Sequence, residues 1–168
     1  HPTFATSFAI AGIPLTQPIM PEAVIALGCV PIAKYGRPST DEIPDAVEEW
    51  LPYYDAVLLE SHGALTFSVD LLSAYHKMES VEFYAELLYK ARQLGGPKEF
   101  TADQVEQLYE IRRRFGLPGK HPANLCPNEK AGKPSCHSCS GSCGGHGEAN
   151  DLLVAEITKK VMEQLNLK

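Results

Sequence analysis

Apolar positions in this chain form short dense runs before residue 70 and longer, helically spaced patterns after it. Between Asp70 and Leu94, the residues Leu71, Leu72, Tyr75, Met78, Val81, Phe83, Leu87, Leu88 and Ala91 recur at helical intervals. They predict one long core helix, stopped by Gly95-Gly96-Pro97. Thr101, with Gln104 three residues on, has the capping-box pattern of a further helix running to about Phe115. Nearer the start, residues 2–11 suit a short buried helix, with Pro2 tolerated in its first turn and Gly12 as its stop. Ile13-Pro14-Leu15 and Val30-Pro31-Ile32-Ala33 predict short or edge strands. A short helix lies between them from Pro21 to Leu27, ending at Gly28. Residues 41–51 read as a third helix, with Thr40 as N-cap and Asp41 and Glu42 in the first turn, where the helix dipole favours carboxylates. Ala56-Val57-Leu58-Leu59 is a continuous apolar run, as in a strand buried on both faces. It passes through Glu60-Ser61-His62-Gly63 into a further strand from Ala64 to Phe67.

The pattern breaks at residue 117. Residues 117–149 are dominated by Gly, Pro, Ser, Cys, His, Asn and Lys, the composition of a flexible linker. From residue 150 to 168 a helical pattern returns, capped by Asn150 or Asp151. Leu153, Val154, Ile157, Val161 and Leu165 share one face, and Glu156, Lys159, Lys160 and Glu163 lie elsewhere. A lone amphipathic helix has no core to cover and is marginal in water. It predicts docking to a partner, with packing on the protein's own body or on an oligomer partner as the alternative. The mixed charge of its polar face argues against a membrane surface. The expected organisation is thus a domain at 1–116, a linker at 117–149 and a helix at 150–168.

Composition narrows the function classes. The chain has 168 residues, 44% hydrophobic and 21% charged, enough for one core plus a tail. A net charge of −6 argues against a nucleic-acid partner or an anionic membrane. No apolar run approaches the roughly 18 residues of a membrane span, and no secretory signal is visible. The first residue is His rather than Met, and the chain is read as a fragment. Of five cysteines, Cys126, Cys136, Cys139 and Cys143 fall in the Gly/Ser-rich stretch. A disulfide framework would spread its cysteines through a small domain, so the compartment is read as reducing and cytoplasmic.

Two histidines carry the first candidate chemistry. His62 stands at the end of a buried strand beside Gly63, a placement that favours a ligand role over that of a surface histidine. His1 opens the apolar stretch that begins the chain. His76 lies on the long helix and reads as an exposed surface residue; Glu60 reads as a solvated carboxylate, with support of a ligating histidine as the alternative. A second candidate metal site is Cys136, Cys139, Cys143 and His146; its Cys-x-x-Cys spacing suits metal, although the run offers no hairpin or helix to organise one, and a spacer is the competing reading.

Three segments carry a family resemblance. His1-Pro2-Thr3-Phe4-Ala5-Thr6-Ser7-Phe8 resembles the stretch from the second histidine of the His-x-His-Pro motif in class II aldolases of the fuculose-phosphate aldolase/adducin family. Val57-Leu58-Leu59-Glu60-Ser61-His62-Gly63-Ala64-Leu65 resembles that family's third-histidine motif. Tyr35-Gly36-Arg37-Pro38-Ser39-Thr40-Asp41-Glu42-Ile43 resembles the stretch between them, with Ser39 where Gly is usual. The resemblance covers residues 1 to about 116. It implies an α/β fold, the C-terminal part of a three-layer α/β/α domain, assembled as a homotetramer. It also implies a Zn²⁺ held by three histidines, of which His1 and His62 match the second and third. An acid/base Glu and the phosphate-binding segments are expected upstream of residue 1, which would leave the fragment itself inactive.

The implied reaction is retro-aldol cleavage of a sugar phosphate, L-fuculose or L-rhamnulose 1-phosphate, to dihydroxyacetone phosphate and lactaldehyde. Pentulose-phosphate 4-epimerases, a dehydratase and non-catalytic adducin-like interaction modules share the scaffold and stay open as alternatives. In the family a C-terminal Tyr-Gly-Leu reaches a neighbouring site; Phe115-Gly116-Leu117 matches that segment but lacks the hydroxyl. The terminal helix resembles encapsulation peptides of bacterial microcompartment cargo. That resemblance implies a shell protein or co-cargo as partner, and a location inside a cytoplasmic microcompartment.

Overall fold

A computed structural model describes residues 1–124 of the chain. Five helices, three strands and one 3-10 turn follow in order: α1 (Thr3–Ile10), α2 (Pro21–Ala26), β1 (Ile32–Ala33), α3 (Glu42–Glu48), β2 (Ala56–Leu59), β3 (Gly63–Thr66), α4 (Leu71–Gln93), α5 (Ala102–Phe115) and the turn Pro122–Asn124. The strands lie in the order β1-β2-β3. β1 runs parallel to β2, pairing Ile32 with Leu58 and Ala33 with Leu59. Parallel neighbours need a crossover, and α3 supplies it. β3 returns antiparallel to β2, with Ala56 opposite Thr66 and Leu59 opposite Gly63.

The alternation of side chains along β2 builds two cores. Leu58 faces Phe8, Leu15, Val81, Tyr84 and Leu88, so α1 and α4 cover one side of the sheet. Val57 faces Cys29, Ala33, Val47, Trp50 and Tyr54 on the side covered by α3. This is the expected α/β architecture, with helices on both faces of the sheet. A smaller cluster of Val24, Val105 and Tyr109 joins α2 to α5.

Local signals set most boundaries. Asp70 caps α4, its carboxylate accepting from the Ser73 N–H at 2.8 Å. The capping box of α5 is present in both directions, Thr101 Oγ1 accepting from Gln104 N–H and Gln104 Oε1 from Thr101 N–H. Helix α5 closes on Gly116, in the left-handed conformation at φ 59°.

Four features depart from the sequence reading. Ile13-Pro14-Leu15 forms no strand, only a single bridge from Leu15 to Val30, because Pro14 has no N–H to give a ladder. Helix α3 stops at Glu48 rather than residue 51, and the chain goes on in turns, Trp50 N–H and Leu51 N–H both donating to Val47 O. In α4 the buried face is Val81, Tyr84, Ala85 and Leu88, while Leu71, Leu72, Tyr75 and Phe83 are exposed. Tyr84 turns inward, donating its hydroxyl to Gln17 O at 2.5 Å.

The fourth departure is in residues 117–124, assigned by composition to the linker but packed on the body. Lys120 N–H donates to Asp55 Oδ2 at 2.8 Å, and Asp55 also pairs with Lys77. Arg112 donates to Ile25 O and Pro118 O. His121 is fully buried: Nδ1 accepts from Ala123 N–H at 2.9 Å, so Nε2 carries the proton and donates to Val24 O at 2.7 Å. The packed unit therefore extends at least to Asn124. Cys29 is buried and disulfide-bonded.

Candidate active site

His1 lies against Gly63, the residue that follows His62 in the β2–β3 turn. The β2–β3 connection is a tight turn: His62 N–H donates to Leu59 O at 2.9 Å, Glu60 N–H to Ala33 O and Ser61 N–H to Ala9 O. The last of these ties the turn to the end of α1. Ser61 sits in left-handed backbone at φ 60° and Gly63 at φ 144°, a region open to glycine alone. A β-carbon on Gly63 would lie 3.1 Å from His1 Nδ1 and 3.4 Å from Thr6 Oγ1. Missing side-chain bulk at Gly63 is thus what lets His1 approach the residue next to His62.

His62 is held on two sides. Its Nε2 lies 2.8 Å from Gly36 O, and because a carbonyl only accepts, Nε2 carries the proton and Nδ1 the free lone pair. Its ring stacks on Tyr35, with centroids 5.4 Å apart and planes 3° from parallel. Glu60 fastens this loop, Oε2 accepting from Tyr35 N–H at 2.9 Å. Gly36 is obligatory: a β-carbon there would meet Ile43 N, a backbone atom, at 2.7 Å.

On the His1 side, Pro2 stands at the N-cap of α1, its φ of −62° fixed by its ring. Pro2 has no side-chain oxygen to cap the helix. The cap comes instead from Glu82 on α4, whose carboxylate accepts from Phe4 N–H at 2.9 Å and Ala5 N–H at 2.8 Å. Thr6 Oγ1 is buried beside Gly63 without a hydrogen-bond partner. Buried polar groups are ordinarily paired, so this hydroxyl is an exception within the His1–Gly63 contact.

Sequence reasoning missed Glu60 as the fastening of the Tyr35 loop, and it missed Thr6, Gly36 and Glu82 altogether. Only the spacing of Tyr35-Gly36 between the histidine motifs hinted at that loop. The structure leaves His76 exposed beside Tyr75 and Phe115 exposed at the end of α5. Among the described residues no cluster of three or more His, Cys, Asp or Glu could hold a metal. Cys136, Cys139, Cys143 and His146, and the helical face Leu153, Val154, Ile157, Val161 and Leu165, lie outside the described residues.

With this fold and this paired-histidine turn, the chain belongs to the class II aldolase and adducin family: the profile of the class II aldolase and adducin N-terminal domain matches residues 1–89. Among curated relatives, a 5-deoxy-D-ribulose 1-phosphate aldolase of Bacillus thuringiensis serovar kurstaki is 28% identical over 118 residues, covering 69% of this chain and 54% of the relative. A rhamnulose-1-phosphate aldolase of Pectobacterium atrosepticum is 32% identical over 88 residues, 52% of this chain and 31% of its own. A 3-oxo-tetronate 4-phosphate decarboxylase of the same organism is 31% identical over 94 residues, 55% of this chain and 42% of its own. A solved L-fuculose 1-phosphate aldolase superposes with a TM-score of 0.58 at 28% identity, over 68% of this chain and 52% of that one. The chain thus spans about half the length of the first relative and a third of the second.

Proposed function

We propose that the protein carrying this chain is a zinc-dependent aldolase. It cleaves a 1-phosphorylated deoxyketose, L-fuculose or L-rhamnulose 1-phosphate, to dihydroxyacetone phosphate and lactaldehyde. The observation that carries this reading is the approach of His1 to Gly63, the residue beside the braced His62. The curated aldolase relatives act, by name, on 1-phosphorylated ketoses, which supports the substrate class.

The donor set fits part of a zinc site. Two neutral imidazoles suit Zn²⁺, and His62 already gives its other N–H to a backbone carbonyl, the outer-shell bond that orients a ligating histidine. His1 and His62 would hold two positions; the remaining histidine and the acid/base carboxylate come, in this proposal, from a segment preceding residue 1. Bound zinc supplies Lewis-acid stabilisation of charge on substrate oxygens. The residues described here keep the ligand geometry: Tyr35 and Gly36 fix the His62 ring, Glu60 fixes Tyr35, and Gly63 leaves room for His1. By this reading the isolated chain is inactive and the parent enzyme is a homotetramer.

The test is to express the parent protein with its upstream sequence, measure bound zinc, and follow dihydroxyacetone phosphate release from L-fuculose, L-rhamnulose and 5-deoxyribulose 1-phosphates. Zinc near one per protomer, with cleavage lost in His62→Ala, is expected. Absence of both zinc and cleavage overturns the reading. The decarboxylase relative favours a second reading, decarboxylation of a phosphorylated 3-oxo acid, so carbon dioxide release from 3-oxo-tetronate 4-phosphate belongs in the same panel.

The tail is proposed to deliver the enzyme to a microcompartment, with Leu153, Val154, Ile157, Val161 and Leu165 seated in a groove of a shell protein or co-cargo. Residues 148–168 fused to a fluorescent protein should form puncta in shell-producing cells; diffuse fluorescence there rejects it.

A further inference from the structure

We infer that Glu82 is a positioning residue for His1: from α4 it takes over the N-cap of α1 and so sets where the first imidazole meets the His62 turn. The first N–H groups of a helix have no partner within it, and an N-cap side chain normally serves the second or third of them. Pro2 occupies the N-cap of α1 and makes no side-chain cap bond. Glu82 serves both of those positions, Oε1 taking Phe4 N–H and Oε2 taking Ala5 N–H from 78 and 77 residues away. A carboxylate there also meets the positive end of the helix dipole, and bonds to an ionised acceptor are the strong, directional kind.

The clamp reaches His1 through a short and stiff path. Pro2 has φ fixed at −62°, and the residue before a proline is confined to extended backbone. The other end is equally firm, since Val81, Tyr84, Ala85 and Leu88 bury α4 in the main core on either side of residue 82. Glu82 therefore transmits the position of the core to His1, where the ring lies against Gly63. The metal consequence rests on the proposed ligand role of His1; the positional consequence does not.

Two readouts separate these. In the 168-residue chain, nuclear Overhauser contacts between the His1 ring and the Gly63 α-protons report the approach without metal. In the parent enzyme, competition with a chromophoric chelator gives the zinc dissociation constant, and Co²⁺ substitution gives an absorption spectrum sensitive to ligand geometry. Glu82→Ala should lose the contacts, weaken zinc by about 10–100-fold, the usual effect of losing a group that orients a ligand, and change the cobalt spectrum. Glu82→Gln, which keeps an acceptor oxygen, should fall nearer the wild type. Val105→Ala removes packing in the α2–α5 cluster instead and should lower stability without moving either readout. If Glu82→Ala does not fold, Glu82→Asp, one methylene shorter, carries the same comparison. Contacts, zinc affinity and cobalt spectrum all unchanged in a folded Glu82→Ala or Glu82→Asp protein overturn the inference. A wild-type parent that binds no zinc, with the contacts still lost on mutation, overturns the ligand reading and leaves the positioning role standing.

Discussion

Gly63→Ala tests the core of the site geometry. At φ 144° an alanine occupies backbone that L-residues avoid, at a cost of about 1–3 kcal/mol. Alanine also narrows the unfolded ensemble relative to glycine, which offsets about 0.4–1 kcal/mol. The new β-carbon meets His1 Nδ1 at 3.1 Å and Thr6 Oγ1 at 3.4 Å. His1 is exposed, so its ring moves aside cheaply, and backbone strain dominates the energy. The net expectation is a loss of about 0–2.6 kcal/mol, as the difference of those two ranges, together with displacement of His1. Urea unfolding followed by circular dichroism measures the first, and proton contacts between the His1 ring and the α-carbon of residue 63 measure the second. Ser61→Gly is the matched control: it relieves left-handed strain at φ 60° in the same turn and should leave stability within about 0.5 kcal/mol of wild type, since relief and unfolded-state entropy oppose. If Gly63→Ala is as stable as wild type and His1 stays against the turn, the claim that missing side-chain bulk at residue 63 admits His1 is wrong.

Further expectations concern stability. Thr101→Ala removes one half of the capping box of α5 and should cost about 1 kcal/mol in chemical denaturation. Asp55→Ala strands the half-buried Lys77 ammonium and the Lys120 N–H; a loss of about 1–3 kcal/mol is expected, with new protease cleavage near residue 120 as the local signature. Burial, reinforced by the Glu99 charge, pushes the Tyr84 phenol well above its ordinary value of 10.0. Because the folded value is raised, the stability tied to this phenol is complete below pH 10, the unfolded value, and falls away at higher pH. Tyr84→Phe should flatten that alkaline limb while costing about 1 kcal/mol near neutrality, where Gln17 O loses its donor.

How much was legible in the sequence follows from the range of the interactions involved. The α5 capping box, the apolar run of β2 and the Gly116 stop are set by neighbours within a few positions, and the reading found them. His1 and His62 were singled out because their motifs are local. The buried face of α4 was misread: apolar residues surround that helix, and only the sheet and α1 decide that Tyr84 and Ala85 turn inward while Leu71 and Leu72 do not. Glu82, Glu60 and His121 were invisible for a related reason. Each acts on backbone groups 25 to 97 residues away, and a carboxylate or imidazole aimed at a distant N–H or carbonyl leaves no periodic trace. The seat of residues 117–124 shows the same blindness, since Pro, Gly and Lys read as linker until Asp55 and Val24 are brought beside them.

The Glu82 clasp also has a consequence in time. During synthesis α1 leaves the ribosome ahead of the carboxylate that caps it, which lies 78 residues behind Phe4. At about 5–20 residues per second, that is a delay of roughly 4–16 s during which the first imidazole has no fixed address. The β2–β3 turn is made within that interval, so the His62 corner is laid down before its counterpart is steadied. The capped form of α1, and with it the approach of His1 to Gly63, is thereby deferred until α4 is made.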